Sequence, residues 1–146
     1  MVVTNPYYPT PPGRTDGTAG QGAGEECSSS SEGRYLTFLE SELTHVAGGD
    51  GFVDGGSPVN VGVLVGVAMT DASAATDLIT IDTEGIWYLN VYAENAQGAS
   101  AVAIGDQLYV AAGVVSKIAT GVLFGWALSV VAQGTTAVCA VKVHGI

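Results

Sequence analysis

Side chains able to carry chemistry are few in this sequence and stand far apart. His45 and His144 are the only imidazoles, and neither has a Cys, His or Asp at the spacing of a metal-ligand set. Each reads as a surface histidine or one satisfied by neighbours, His144 lying beside the C-terminus. Asp50 and Asp54 share the glycine-rich stretch "GGDGFVDGG", whose carboxylates could approach Ca²⁺. A tight Ca²⁺ site needs more oxygen ligands at defined spacing, and no bidentate glutamate follows as in an EF-hand. The stretch reads first as a turn-forming loop, with a weak cation site as the alternative. Cys27 stands in "EECSSSSEG" and Cys139 on an apolar alternating segment. Two such cysteines make neither a disulfide framework nor a metal site, and read as a free thiol and a small buried hydrophobe.

Nucleophilic and nucleotide chemistry find no better footing. Serine is abundant near the N-terminus, but no Gly-x-Ser-x-Gly elbow occurs to hold one on a rigid turn. The run "GQGAG" follows no strand and opens no helix, and no Gly-Lys-Ser/Thr exists to cradle a phosphate. Asp106 lies on a Gly-Asp turn within "AVAIGDQLYVAAG". Lacking a histidine, metal ligand or base partner in the sequence, it reads as a turn residue whose carboxylate bonds nearby backbone. No catalytic residue, metal site or cofactor is assigned, and the protein is not expected to be an enzyme.

Charge narrows the partners. Fourteen acids face four bases, Arg14, Arg34, Lys117 and Lys142, for a formal net charge of −10. Phosphate backbones are bound by clustered Lys and Arg, so nucleic acid is not expected as a partner. Only 12% of residues are charged while 47% are hydrophobic, so much of the surface must be small and neutral or covered by other chains. "IATGVLFGWALSVVA" is apolar but shorter than the ~20 residues of a spanning helix. The start "MVVTNPYYPTPP" lacks the basic and apolar regions of a signal peptide. Neither a membrane span nor export is expected.

The elements that would position these residues are strands. The chain changes character near residue 34, dividing into an arm, 1–33, and a β-domain, 34–146. "RYLTFLESELTHVAG" fits strand alternation at Leu36 and Phe38 despite leucines at helical spacing. "VNVGVLVGVAMT" reads as one strand, with Val61, Val63, Val65, Val67 and Met69 on one face and Gly62, Leu64, Gly66 and Ala68 on the other. "LITIDTEGIWYLNVYA" reads as two strands around "DTEG", Gly85 taking positive φ. After that turn Trp87, Leu89 and Val91 point one way, and Tyr88, Asn90 and Tyr92 the other. In "QLYVAA" Leu108 and Val110 oppose Tyr109. In "GVLFGWALSVVA" Phe124, Trp126, Leu128 and Val130 share a face, and the turn "QGTT" leads into "AVCAVKVHG". Turn signals at this density favour a small β-sandwich or barrel with no long amphipathic helix.

The arm has its own logic. Four prolines lie between Pro6 and Pro12, and glycine and serine dominate the remainder. This is the composition of polyproline II followed by flexible linker, with little to bury except Tyr7 and Tyr8. Such a segment becomes ordered when another surface holds it, most simply another chain, with folding back onto its own domain as the alternative. Tyr7 and Tyr8 with Pro9, Pro11 and Pro12 form a stiff amphipathic docking peptide.

From about Phe38 onward the chain resembles the tailed-phage capsid decoration (cement) proteins, a family often mislabelled as RecA/RadA-like recombinases. The carrying segments are "GGSPVNVGVLVGVAMTDA", "DLITIDTEGIWYLNV", "AVAIGDQLYV" and "GVLFGWALSVVAQGTTAVCAVKV". Within them Gly66, Gly85, Gly105, Asp106, Tyr109 and Gly125 stand at the positions that mark the family's fold. The resemblance implies an all-β, β-tulip-like domain that assembles as homotrimers, or similar clusters, on the outer surface of the virion and clamps the major capsid protein lattice. The long N-terminal arm departs from the family's usual start, so no role carries over to it. Other virion roles, such as a tail or fibre-attachment module, and a recombination accessory role remain as alternatives; the missing phosphate loop and basic surface speak against the last.

Overall fold

The structure, a computed structural model, describes residues 34–144. Eleven strands succeed one another among the described residues: β1 (Tyr35–Leu39), β2 (Pro58–Val61), β3 (Leu64–Ala68), β4 (Leu78–Asp82), β5 (Ile86–Tyr92), β6 (Glu94–Asn95), β7 (Gly98–Ala99), β8 (Gln107–Ala111), β9 (Val114–Ser116), β10 (Val122–Ala127) and β11 (Thr136–Val143). The fold is all-β, and the single helical turn among the described residues is a 3₁₀ turn at Glu40–Glu42. A four-stranded sheet in the order β1-β4-β3-β2 adjoins a closed five-stranded barrel in the order β10-β11-β5-β9-β8, and β6 pairs with β7.

Each sheet covers its own apolar cluster. The barrel encloses Leu89, Val91, Leu108, Val110, Val115, Phe124, Cys139 and Val141 among others, joined by Val65 and Val67 of β3. The open sheet covers Leu43, Val53, Val59, Ile79 and Ile81, with Ala68 of β3 among them. β3 therefore joins the two cores. Alternation along β5 and β8 matches the pattern in the sequence: Leu89, Val91, Leu108 and Val110 are buried while Tyr88 and Asn90 are exposed.

In two places local order differs from the sequence reading. "VNVGVLVGVAMT" is a hairpin rather than one strand. Val61 pairs with Leu64, Gly62 turns at φ 59°, and the Asn60 amide donates to the Gly62 carbonyl at 2.9 Å. Glycine at the first central position suits the tight turn that matches strand twist. Val63 consequently projects from the tip, 80% exposed, while Val65 and Val67 are buried.

The second difference is a bulge in β10. Leu123 pairs with Tyr109 and Gly125 with Leu108, so Phe124 is the extra residue. The insertion reverses the facing of the residues beyond it. Phe124 and Ala127 are buried, Trp126 turns outward to pair with Lys142, and Leu128 and Val130 lie exposed past the strand end. The shared face expected for Phe124, Trp126, Leu128 and Val130 therefore does not form.

Where backbones approach closely, glycine is required. A Cβ on Gly66 would sit 2.7 Å from the Asp82 carbonyl oxygen of β4, and one on Gly125 would collide with the Lys142 carbonyl of β11. The turn "DTEG" forms, with Gly85 at φ 97°. The strands on either side part company: β4 stays in the open sheet and β5 enters the barrel.

Candidate interaction surface

Asp82, at the end of β4, organises the junction where the described chain begins. It is 2% exposed and accepts Arg34 Nε at 2.8 Å and Nη2 at 2.9 Å. It also accepts Trp87 Nε1 at 3.0 Å and the Glu84 amide at 3.1 Å. Burial pushes this carboxyl up, but the Arg34 guanidinium, the Glu84 amide and the Trp87 indole together hold it below the usual carboxylate range. The bond to Asp82 in turn raises Arg34. The Arg34 carbonyl accepts the Thr83 hydroxyl at 2.6 Å and the Thr83 amide at 2.9 Å. Residue 34 is thereby fixed beside the entrance to β5. Sequence reading left this cluster out because Asp82 and Arg34 are 48 residues apart.

The outer face of the barrel carries a groove of about 570 Å³. It is lined by Tyr88 and Tyr92 of β5, Val138 of β11 and Val114 of β9, together with Val46 and Pro58 from outside the barrel. Tyr88 is 80% exposed, with Val138, Val46 and Val114 at 63%, 52% and 45%. No charged residue lines the groove among the described residues. The signal was present in sequence as aromatic residues on β5 opposite its core-facing side, but Val46 and Pro58 come from segments distant in the chain.

Asp106 sits in the turn before β8. Its carboxylate accepts the Ala103 amide at 2.9 Å and lies 3.1 Å from Lys117 Nζ. The Ala103 amide, with help from Lys117, holds it below the usual carboxylate range against a smaller opposing effect of burial. Lys117 also donates to Ser100 Oγ and the Ala101 carbonyl. Gly105, at φ 90°, and Asp106 are tied to Ala127 through backbone bonds of 2.8 and 2.9 Å. Asp106 thus anchors a barrel end, with Lys117 an added partner. Tyr109 donates to Gln107 Oε1 at 3.0 Å on the outer side of β8.

The remaining candidates are scattered. His45 Nε2 lies 2.6 Å from Glu40 Oε1, and Nδ1 lies 2.8 Å from the Val46 carbonyl. His144 packs edge-on against Trp126 with ring centroids 5.4 Å apart. Asp50 accepts the Phe52 amide at 3.0 Å, and Asp54 packs against Gly48. No group of three His, Cys, Asp or Glu able to hold a metal ion occurs among the described residues, nor does any helix there long and apolar enough to cross a membrane. Cys139 is buried inside the barrel. Cys27 and the arm residues Tyr7, Tyr8, Pro9, Pro11 and Pro12 lie outside the described residues.

A family model for phage cement proteins matches residues 40–143, which take in every strand described above except β1. The chain belongs to the phage cement protein family. Comparison with curated proteins and with solved structures gives no match. Cement proteins have a structural, non-enzymatic role on the phage capsid. That role fits a molecule whose described residues form an uncharged, largely apolar groove and whose Asp82 and Asp106 carboxylates are held by backbone amides and neighbouring side chains.

Proposed function

We propose that this protein binds the outside of an icosahedral phage head and braces the lattice of its major capsid protein. It works in two parts. Residues 34–146 form a β-domain that associates with copies of itself as a homotrimer. Residues 1–33 form an arm whose Tyr7, Tyr8, Pro9, Pro11 and Pro12 bury against capsid subunits. Membership of the cement family over residues 40–143 carries the reading, because it places the role on the capsid while leaving the arm outside the matched region. The physics supports the division. Aromatic side chains flanked by prolines lose little entropy on docking, and modest contacts repeated over a shell sum to avidity. A net charge of −10 keeps a surface with few charges soluble and away from packaged DNA.

The test uses heads lacking the protein. Full-length chain is expected to saturate them and raise their resistance to heat. A Tyr7→Ala/Tyr8→Ala double variant, still folded by circular dichroism, should bind at least about tenfold more weakly, since two buried aromatic anchors contribute more than about 1.4 kcal/mol. Equal affinity of the double variant would remove the arm from the mechanism. Failure of the full-length protein to bind any head would remove the capsid reading itself.

A further inference from the structure

The barrel groove and the start of the arm match in chemistry, and the described domain begins at Arg34, next to the turn that leads into β5. Residues 1–13 contain no charged side chain; Arg14 is the first. The groove likewise has no charged residue lining it among the described residues, on a chain whose net charge is −10. Its walls offer Tyr88, Tyr92 and Pro58 to a segment, Pro6–Pro12, that holds two tyrosines and four prolines. Grooves lined by aromatic side chains are how proline-rich peptides are recognised, because the peptide is already extended and its rings pack on flat faces.

Position makes this an intramolecular fit. Arg34 is fixed by Asp82 and Thr83 beside Gly85, and β5, whose outer face forms the groove wall, begins at the next residue, Ile86. From Ile86 to Tyr92 is about 20 Å at ~3.3 Å per strand residue. A Gly/Ser-rich connection over residues 13–33 spans about 25 Å root mean square, so Pro6–Pro12 reaches the whole groove without stretching. A tether of that length holds the segment at an effective concentration near the millimolar range, enough for a weak peptide site to stay filled.

We propose that in the free protein the Pro6–Pro12 segment of each chain lies in its own barrel groove, Tyr7 and Tyr8 packing against Tyr88, Val114 and Val138. The head then competes with this groove for the arm. The inference concerns the protein in solution and does not rest on the capsid reading, so the two fail separately.

The test is nuclear magnetic resonance on the full-length protein without heads. Tyr7 and Tyr8 ring protons should show nuclear Overhauser contacts to the methyls of Val114 and Val138, with ring shifts displaced from random-coil values. Val138→Lys, at a 63% exposed position, should abolish those contacts and return both rings to random-coil shifts while the barrel-core methyls stay unmoved. Random-coil shifts for both tyrosines in the native chain would overturn the proposal. So would contacts appearing only between differently labelled chains in a mixed sample, which would place the arm on a second copy.

Discussion

Removing the Asp82 carboxylate tests whether the cluster at residue 34 holds the two sheets together. Asp82→Ala deletes four hydrogen bonds from a side chain that is 2% exposed. Breaking a buried ion pair by removing one partner costs about 3–5 kcal/mol when the other charge stays buried. Here the Arg34 side chain is 34% exposed and water can take over part of its solvation. The Trp87 indole and Glu84 amide lose partners at about 1 kcal/mol each. The expected loss is therefore near the lower end, about 3 kcal/mol at pH 7. For a chain of this size that is about 12 °C in Tm, at about 4 °C per kcal/mol.

Urea unfolding followed by the emission of Trp87 and Trp126 and by circular dichroism measures it. Arg34→Ala and the double variant complete a cycle, and the two single losses should exceed the double by about 2 kcal/mol. The pH dependence adds a signed check. Asp82 titrates below its ordinary range when folded, so its contribution is present above the unfolded value of about 3.9 and is lost as pH falls through the lower native value. The gap between native protein and Asp82→Ala should shrink below about pH 4. A loss under about 0.5 kcal/mol at pH 7, or a gap that stays constant down to pH 2, would refute the reasoning.

Other substitutions check the remaining contacts. Gly125→Ala should cost at least about 2 kcal/mol, because its methyl meets the Lys142 carbonyl. Gly49→Ala, with open space around it, should stay within about 0.5 kcal/mol, and thermal melts compare the two. Val63→Ser at the hairpin tip should be silent within the same margin, whereas Val67→Ala should lose at least about 1 kcal/mol from the joint between the cores; equal costs would return Val63 to a buried strand face. Asp106→Ala should lower stability by about 1–2 kcal/mol through the Ala103 and Lys117 contacts, most of it above pH 4, and leave head binding unchanged in a sedimentation assay.

Legibility from sequence tracked the range of the interaction. Gly85 and Gly105 announced turns because positive φ is a local demand that glycine alone meets without strain. The facing of Leu89 and Val91, and of Leu108 and Val110, came from alternation within one strand. The same alternation misled where the backbone interrupted it. Val61, Val63, Val65, Val67 and Met69 keep period two in the sequence, but the two-residue turn pairs Val61 with Leu64 and so puts Val61 on the face opposite Val65 and Val67. The Phe124 bulge changes parity without any unusual residue at the bulge itself, and its cause is pairing with β8.

By itself, then, the sequence determined the all-β class, the turns and, through the order of its motifs, the family. Those rest on composition and on preferences spanning a few residues. Tertiary structure alone decided that β4 and β5 enter different sheets, that Arg34 meets Asp82, and that Val46 and Pro58 line one groove with Tyr88 and Tyr92. Each of these depends on chain segments dozens of residues apart, brought together only when closing the barrel and burying both apolar clusters offsets the entropy of ordering them.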